Sequence, residues 1–208
     1  RIAFRTYGPA LQATGEKAFG YDIWVKRTND LVVENRYAME LDDSTNAEIK
    51  RLAITDPAAS KALRERTSYH FDHGNGLDYY KVGPTLGAGT SAFLVDGEMV
   101  YPYCYKTQEV LDNGPLRFTV KLVYNPLNIK GNSVIETRII SLDAGSQLNK
   151  VNLTFSKVNA VMPLASGIVV HTGSNDYKMS AQKGYIAYAD PKDPVNGQIY
   201  VGAVFPLM

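Results

Sequence analysis

Two of the chain's three histidines lie in one short segment, Tyr69–Lys81, together with Asp72, Asp78, Tyr79 and Tyr80. Histidine is the natural proton carrier near neutral pH. Tyrosine exchanges a proton when a nearby cation lowers its pKa. We therefore take His70, Asp72, His73, Asp78, Tyr79 and Tyr80 as candidate catalytic groups, with Lys81 as a cation beside them. Gly74 and Gly76 mark the segment as a loop, where binding and catalytic side chains are often carried. The bland alternative is a surface loop whose histidines and tyrosines cap turns and pack. His70, Asp72 and His73 also offer nitrogen and oxygen to a metal, but their spacing matches no zinc signature. No cofactor is expected.

Other residues suit a sugar. Tyr101, Tyr103 and Tyr105 alternate, so on a strand they share a face, and aromatic faces stack on the apolar side of a pyranose. Trp24, the sole tryptophan, is a second stacking candidate, or else a cover for a sheet edge. Arg117 and Lys121 share one strand face, and Glu136 and Arg138 share another. Guanidinium groups there clamp a carboxylate in bidentate fashion, unless they serve as ordinary cross-strand ion pairs. His171 reads as a structural histidine. The glycine-rich Gly83–Thr90 lacks the Gly-Lys-Ser/Thr ending of a phosphate loop, and no Gly-x-Ser-x-Gly elbow occurs.

The elements that position these residues are mostly strands. Period-two alternation runs through Leu116–Tyr124, Asn149–Ser156, Tyr21–Lys26 and Ser133–Leu142. Gly167–His171, Gly184–Ala189 and Gln198–Phe205 read the same way. Asp96-Gly97 is a two-residue hairpin signal, and further turns fall at Asp112–Pro115, Lys130–Asn132 and Asp143–Gly145. Thr45-Asn-Ala-Glu48 is a capping box and Asp56-Pro57 a second helix start, so residues 45–66 form a short helical insertion. The expected fold is mainly β, an antiparallel β-sandwich of one domain.

Composition narrows the function classes. The 208 residues carry a formal net charge of +1, without the basic excess of a nucleic-acid binder. No run nears the roughly 20 apolar residues of a membrane span. Cys104 is the only cysteine, so no internal disulfide forms. Asn152-Leu-Thr154 matches a glycosylation acceptor but sits inside an expected strand. The chain starts at Arg1 and ends on the apolar Val201–Met208, which suggests a piece of a longer protein.

Arg1–Ala10, Asp22–Arg27, His70–Gly89, Leu111–Arg117 and Ile140–Ser146 resemble the family named domain of unknown function 4861. The resemblance spans nearly the whole chain, and His70–Gly89 is its most specific block. It implies a periplasmic or secreted protein of Bacteroidota, encoded beside polysaccharide-degradation genes, with a fold related to galactose-mutarotase-like supersandwiches. It supplies no catalytic residues to carry over. The resulting expectation is a carbohydrate-active enzyme whose partner is an oligosaccharide or polysaccharide containing a uronic acid. In a lyase, Lys81 or Arg117 neutralises the carboxylate while a His or Tyr of the loop moves the proton. In a hydrolase, Asp72 pairs with Asp78 or Glu136. The alternative is a non-catalytic glycan-binding domain.

Overall fold

The computed structural model of the protein describes residues 2–158 and 161–206. The order opens with β1 (Ile2–Arg5), α1 (Pro9–Thr14) and β2 (Asp22–Lys26). Then come α2 (Val33–Glu40), α3 (Asp43–Thr55), α4 (Pro57–Thr67) and β3 (Gly76–Leu77). The chain folds as two compact units, one built mainly of Ile23–Tyr80 and one of Phe4–Asp22 and the chain from Lys81 onward, apart from Pro194–Asn196. The architecture is mainly β with antiparallel sheets, as the alternation predicts.

The smaller unit holds three helices and the pairing of β2 with β3, Val25 opposite Leu77 and Lys26 opposite Gly76. The helical insertion is longer than residues 45–66. It begins at α2, which has no side-chain cap to announce it. Helix α3 starts before Thr45, because Asp42 is the cap and accepts the Thr45 N–H. Asp56 caps α4 through the Ala59 N–H, with Pro57 in the first turn, as its sequence implies. Gly76 has φ 102°, and a Cβ there would lie 1.9 Å from the Val25 carbonyl oxygen. Only glycine lets this loop close onto β2.

The larger unit contains β4 (Ala88–Val95), β5 (Glu98–Val100), β6 (Tyr105–Asn113), β7 (Arg117–Tyr124) and β8 (Leu127–Ile129). It continues with β9 (Asn132–Asp143), β10 (Lys150–Ser156), β11 (Leu164–Ile168), β12 (Tyr177–Ser180), β13 (Tyr185–Ala189) and β14 (Tyr200–Val204). One sheet runs β10-β9-β7-β6 with β8 also on β9, a second β11-β4-β5, and a third β12-β13-β14. Asp96-Gly97 joins β4 to β5 with φ 53° and 87°, the paired positive angles of a type I′ turn. Phe93 of β4 meets Phe155 of β10 at 4.8 Å between ring centroids, and Ile129 and Val134 close this core. A sheet carrying Phe93 thus packs on a sheet carrying Phe155, which is the sandwich arrangement. Cys104 is buried and free.

Two strand expectations shift. Gly167–His171 is replaced by β11 at Leu164–Ile168, and β11 pairs Ser166 with Ser91 before a bulge. Tyr101–Cys104 is irregular, and β6 begins only at Tyr105. Pro102 has no N–H to give a ladder, which explains the break.

Candidate functional site

The segment favoured by composition is occupied with itself. His70 donates from Nδ1 to the Asp78 carbonyl at 2.7 Å, and His73 from Nε2 to the Ser68 carbonyl at 3.1 Å. Asp72 accepts the Gly74 and Gly76 N–H groups at 2.8 and 3.0 Å and pairs with Arg27. Tyr80 and Asp78 are buried. Beneath the segment, buried Arg36 donates to the Ser68 and Phe71 carbonyls and to Asn75, and burial lowers its pKa. Among the described residues no three His, Cys, Asp or Glu side chains gather for an ion, because His70, Asp72 and His73 each turn to a different partner.

The proposed stacking residues are dispersed. Trp24 is only 2 % exposed and packs against Tyr37 and Tyr69, so it is a core residue of the smaller unit, not an open platform. Tyr69–Tyr80 belong to the smaller unit, whereas Lys81, Tyr101, Tyr103, Tyr105 and Arg117 belong to the larger. Tyr101 stacks on Phe19 at 4.8 Å, and Tyr103 meets the same ring edge-on. Tyr105 covers Gly8, where a Cβ would lie 2.4 Å from its ring. The three tyrosines therefore form no common stripe. Arg117 is clamped by Asp143 and Lys121 by Glu109, both exposed pairs. The Lys81 carbonyl accepts from His171 Nε2, whose other nitrogen meets Asp190 at 2.6 Å, so His171 is a strut, as its sequence reading implies.

A cavity of about 350 Å³ lies elsewhere in the larger unit. Tyr21, Thr90, Ser91, Asn149 and Ser166 line it, together with apolar side chains such as Phe4, Val151 and Leu153. Its size falls in the ~300–1,000 Å³ range of small-molecule sites. Three buried polar atoms of this lining make no well-aligned hydrogen bond within the protein: Tyr21 Oη, Ser91 Oγ and Asn149 Nδ2. Buried polar atoms are nearly always paired, so a cluster of exceptions calls for an explanation, and a bound ligand is one. The sequence builds this wall through glycine. Gly87 has φ 57°, and a Cβ there would lie 2.4 Å from the Tyr21 carbonyl oxygen, which instead accepts the Ala88 N–H at 2.8 Å. The glycine-rich stretch thus serves the close approach of Tyr21 to β4.

Behind the wall stands a buried ion pair. β9 presents Val134, Glu136, Arg138 and Ile140 to one face, and Arg138 donates Nε to Glu136 and Nη1 to Thr90 Oγ1 at 2.6 Å. Its guanidinium lies over the rings of Tyr124 and Tyr21, 4.3 and 5.3 Å from their centroids. Burial alone disfavours the charge, but Tyr21, Tyr124 and Glu136 outweigh it and keep Arg138 protonated. The Tyr21 hydroxyl interacts with Arg138 and Thr90, yet its burial dominates and raises its pKa. Tyr21 is therefore a neutral phenol, a hydrogen-bond donor and not a base. Sequence reasoning missed Tyr21, Thr90, Ser91 and Asn149. One signal was present: Glu136 and Arg138 fall on the apolar face of an alternating strand, where charged residues are out of place unless paired.

The chain is 27% identical over 195 residues to "Uncharacterized protein P7" of Formosa agariphila (strain DSM 15362 / KCTC 12365 / LMG 23005 / KMM 3901 / M-2Alg 35-1), covering 90% of this chain and 43% of that protein. The chain thus spans less than half the length of that relative. No solved structure matches it, and among the described residues no helix is long and apolar enough to cross a membrane. A family model described as "Domain of unknown function (DUF4861)" matches residues 1–207, and the chain belongs to that family.

Proposed function

We propose that this chain is a carbohydrate-binding domain of a secreted or periplasmic glycan-processing protein, and that a saccharide occupies the cavity at Tyr21. The observation that carries the reading is that three residues lining the cavity, Tyr21, Ser91 and Asn149, hold buried polar atoms without a well-aligned hydrogen bond within the protein, set among apolar walls. A pyranose presents that combination: hydroxyls at its rim and carbon faces between them. No lining residue is charged, and Arg138 behind the wall is neutralised by Glu136. A neutral sugar fits this lining better than the uronate that Arg117 and Lys81 suggest in the sequence.

Binding is favoured over elimination because no free base borders the cavity. The proton carriers of Tyr69–Tyr80 hold backbone groups instead. Catalysis by lyase or hydrolase chemistry is the second reading, and one observation favours it: a phenol, a guanidinium and a carboxyl stand side by side in Tyr21, Arg138 and Glu136. There the Tyr21 phenol would give its proton to the departing glycosidic oxygen while a water molecule bonds to the anomeric carbon, and the proton released by that water would restore the phenol. Incubation with a glycan panel separates the readings. Saturable binding without new reducing ends or unsaturated product supports a binding domain. Turnover that disappears in Tyr21→Phe supports the enzyme. Absence of binding by the folded protein across neutral and acidic glycans rejects both.

A further inference from the structure

A second, smaller cavity of about 100 Å³ adjoins the first and shares Phe4, Tyr21 and Asn149 with it. Its floor is hydrocarbon. The β7–β9 register sets Phe118 opposite Leu142 and Val120 opposite Ile140, so four apolar side chains form one platform. The other polar side chains at its margin are engaged. Arg5 donates Nε to Asp22 at 3.0 Å, on the carboxylate oxygen that also accepts the Tyr7 hydroxyl at 2.7 Å. Thr6 lies 3.4 Å from the Tyr124 hydroxyl. What remains is an apolar recess beside Tyr21 and Asn149, the polar residues it shares with the larger cavity.

Resting on the saccharide reading of the larger cavity, we infer that this recess is a side pocket selecting a sugar that carries one compact apolar substituent. A methyl ether, an acetyl ester and the methyl of a deoxy sugar share that chemistry. A sugar held at Tyr21 and Asn149 has a neighbouring substituent that must enter the recess or leave it empty. A hydroxymethyl or carboxylate there loses water over a hydrocarbon floor, with the Arg5 and Thr6 side chains at the margin already engaged, whereas a methyl is transferred favourably. Each methyl or methylene buried against Phe118, Val120, Ile140 and Leu142 is worth about fourfold in affinity. Rejection of a desolvated hydroxyl widens the gap to about tenfold or more.

The test is calorimetric titration with matched pairs of glycosides: fucose against galactose of the same hand, rhamnose against mannose of the same hand, and a methyl-ether or acetylated galactoside against its parent. The substituted or deoxy member of at least one pair binds about tenfold tighter to the wild-type protein. Val120→Phe, which fills the recess, brings that ratio towards one. Leu142→Phe, at the end of the same platform, does so with less disturbance of the core should Val120→Phe fail to fold. Equal affinity for both members of every pair overturns the inference while leaving the saccharide reading intact. So does a preference that survives both substitutions. Failure of the folded protein to bind either member of any pair overturns the inference and the saccharide reading together.

Discussion

The loop Tyr69–Tyr80 and the cavity at Tyr21 have opposite chemistry. The loop is rich in titratable side chains, and His70, Asp72 and His73 are each taken up by a carbonyl, an N–H or an ion pair. The cavity has Tyr21 as its only titratable lining residue, yet three of its lining residues hold buried polar atoms without a well-aligned hydrogen bond. Satisfied polar groups hold a loop in one shape, whereas unsatisfied ones next to space are what a ligand completes. The loop reading therefore rests on a density of reactive residue types, and the cavity reading on buried polar atoms without well-aligned internal partners. Each region also rests on one buried arginine, Arg36 under the loop and Arg138 behind the cavity, so the comparison can be broken from either side.

The largest effect is expected at Arg138. Arg138→Met strands Glu136 in the core and lowers stability by about 3–5 kcal/mol in denaturant unfolding. The double substitution Arg138→Met, Glu136→Leu removes both charges and recovers most of that loss. Equal destabilisation by the single and double variants would show that the pair is not coupled. Next is Arg36→Met, which takes donors from the Ser68 and Phe71 carbonyls and from Asn75. It costs about 3 kcal/mol and raises hydrogen exchange through residues 68–76, whose loop it holds, while glycan affinity stays at the wild-type value.

A smaller effect is expected in alkali. Burial raises the Tyr124 pKa to about 12, while the unfolded chain ionises near 10. A group that loses its proton more readily when unfolded favours unfolding as pH rises. The Tyr124 contribution is thus constant below about pH 10 and is lost between about 10 and 12, by about 3 kcal/mol. Tyr21 and Tyr7, whose pKa values are also raised first by burial, add to the loss. Spectroscopic titration should show a tyrosinate fraction that appears only with unfolding. Full titration of every tyrosine in the folded protein near pH 10 would contradict the buried cluster.

The sheets were largely legible in the sequence because alternation is a local signal. The β7, β9 and β10 strands were found within a residue or two, and Asp96-Gly97 fixed its hairpin. Helix α2 escaped because Val32 precedes it where a cap would stand and nothing caps it. Tyr101–Tyr105 misled because a spacing of two in sequence is not a face unless a strand carries it, and Pro102 prevents one there. The site was less legible for a related reason. His70 and Asp72 look reactive by type, but only their distances to the Asp78 carbonyl and the Gly74 N–H reveal that they are occupied. Ser91 and Asn149 are ordinary by type, and only the space beside them makes them candidates. Glu136 and Arg138 lie between these cases, visible as charges on an apolar face but silent about Thr90 and Tyr21.

The most direct measurement is calorimetric titration of a neutral oligosaccharide panel against three proteins: the wild type, Ser91→Ala with Asn149→Ala, and His70→Ala with His73→Ala. The cavity account predicts that the first double variant folds normally and loses about tenfold or more in affinity, as expected when two hydrogen bonds to a ligand are removed. It predicts that the second loses at most about 1–2 kcal/mol of stability and binds as the wild type does. Loss of binding in the histidine variant, with the cavity variant unchanged, would contradict it and return the site to Tyr69–Tyr80.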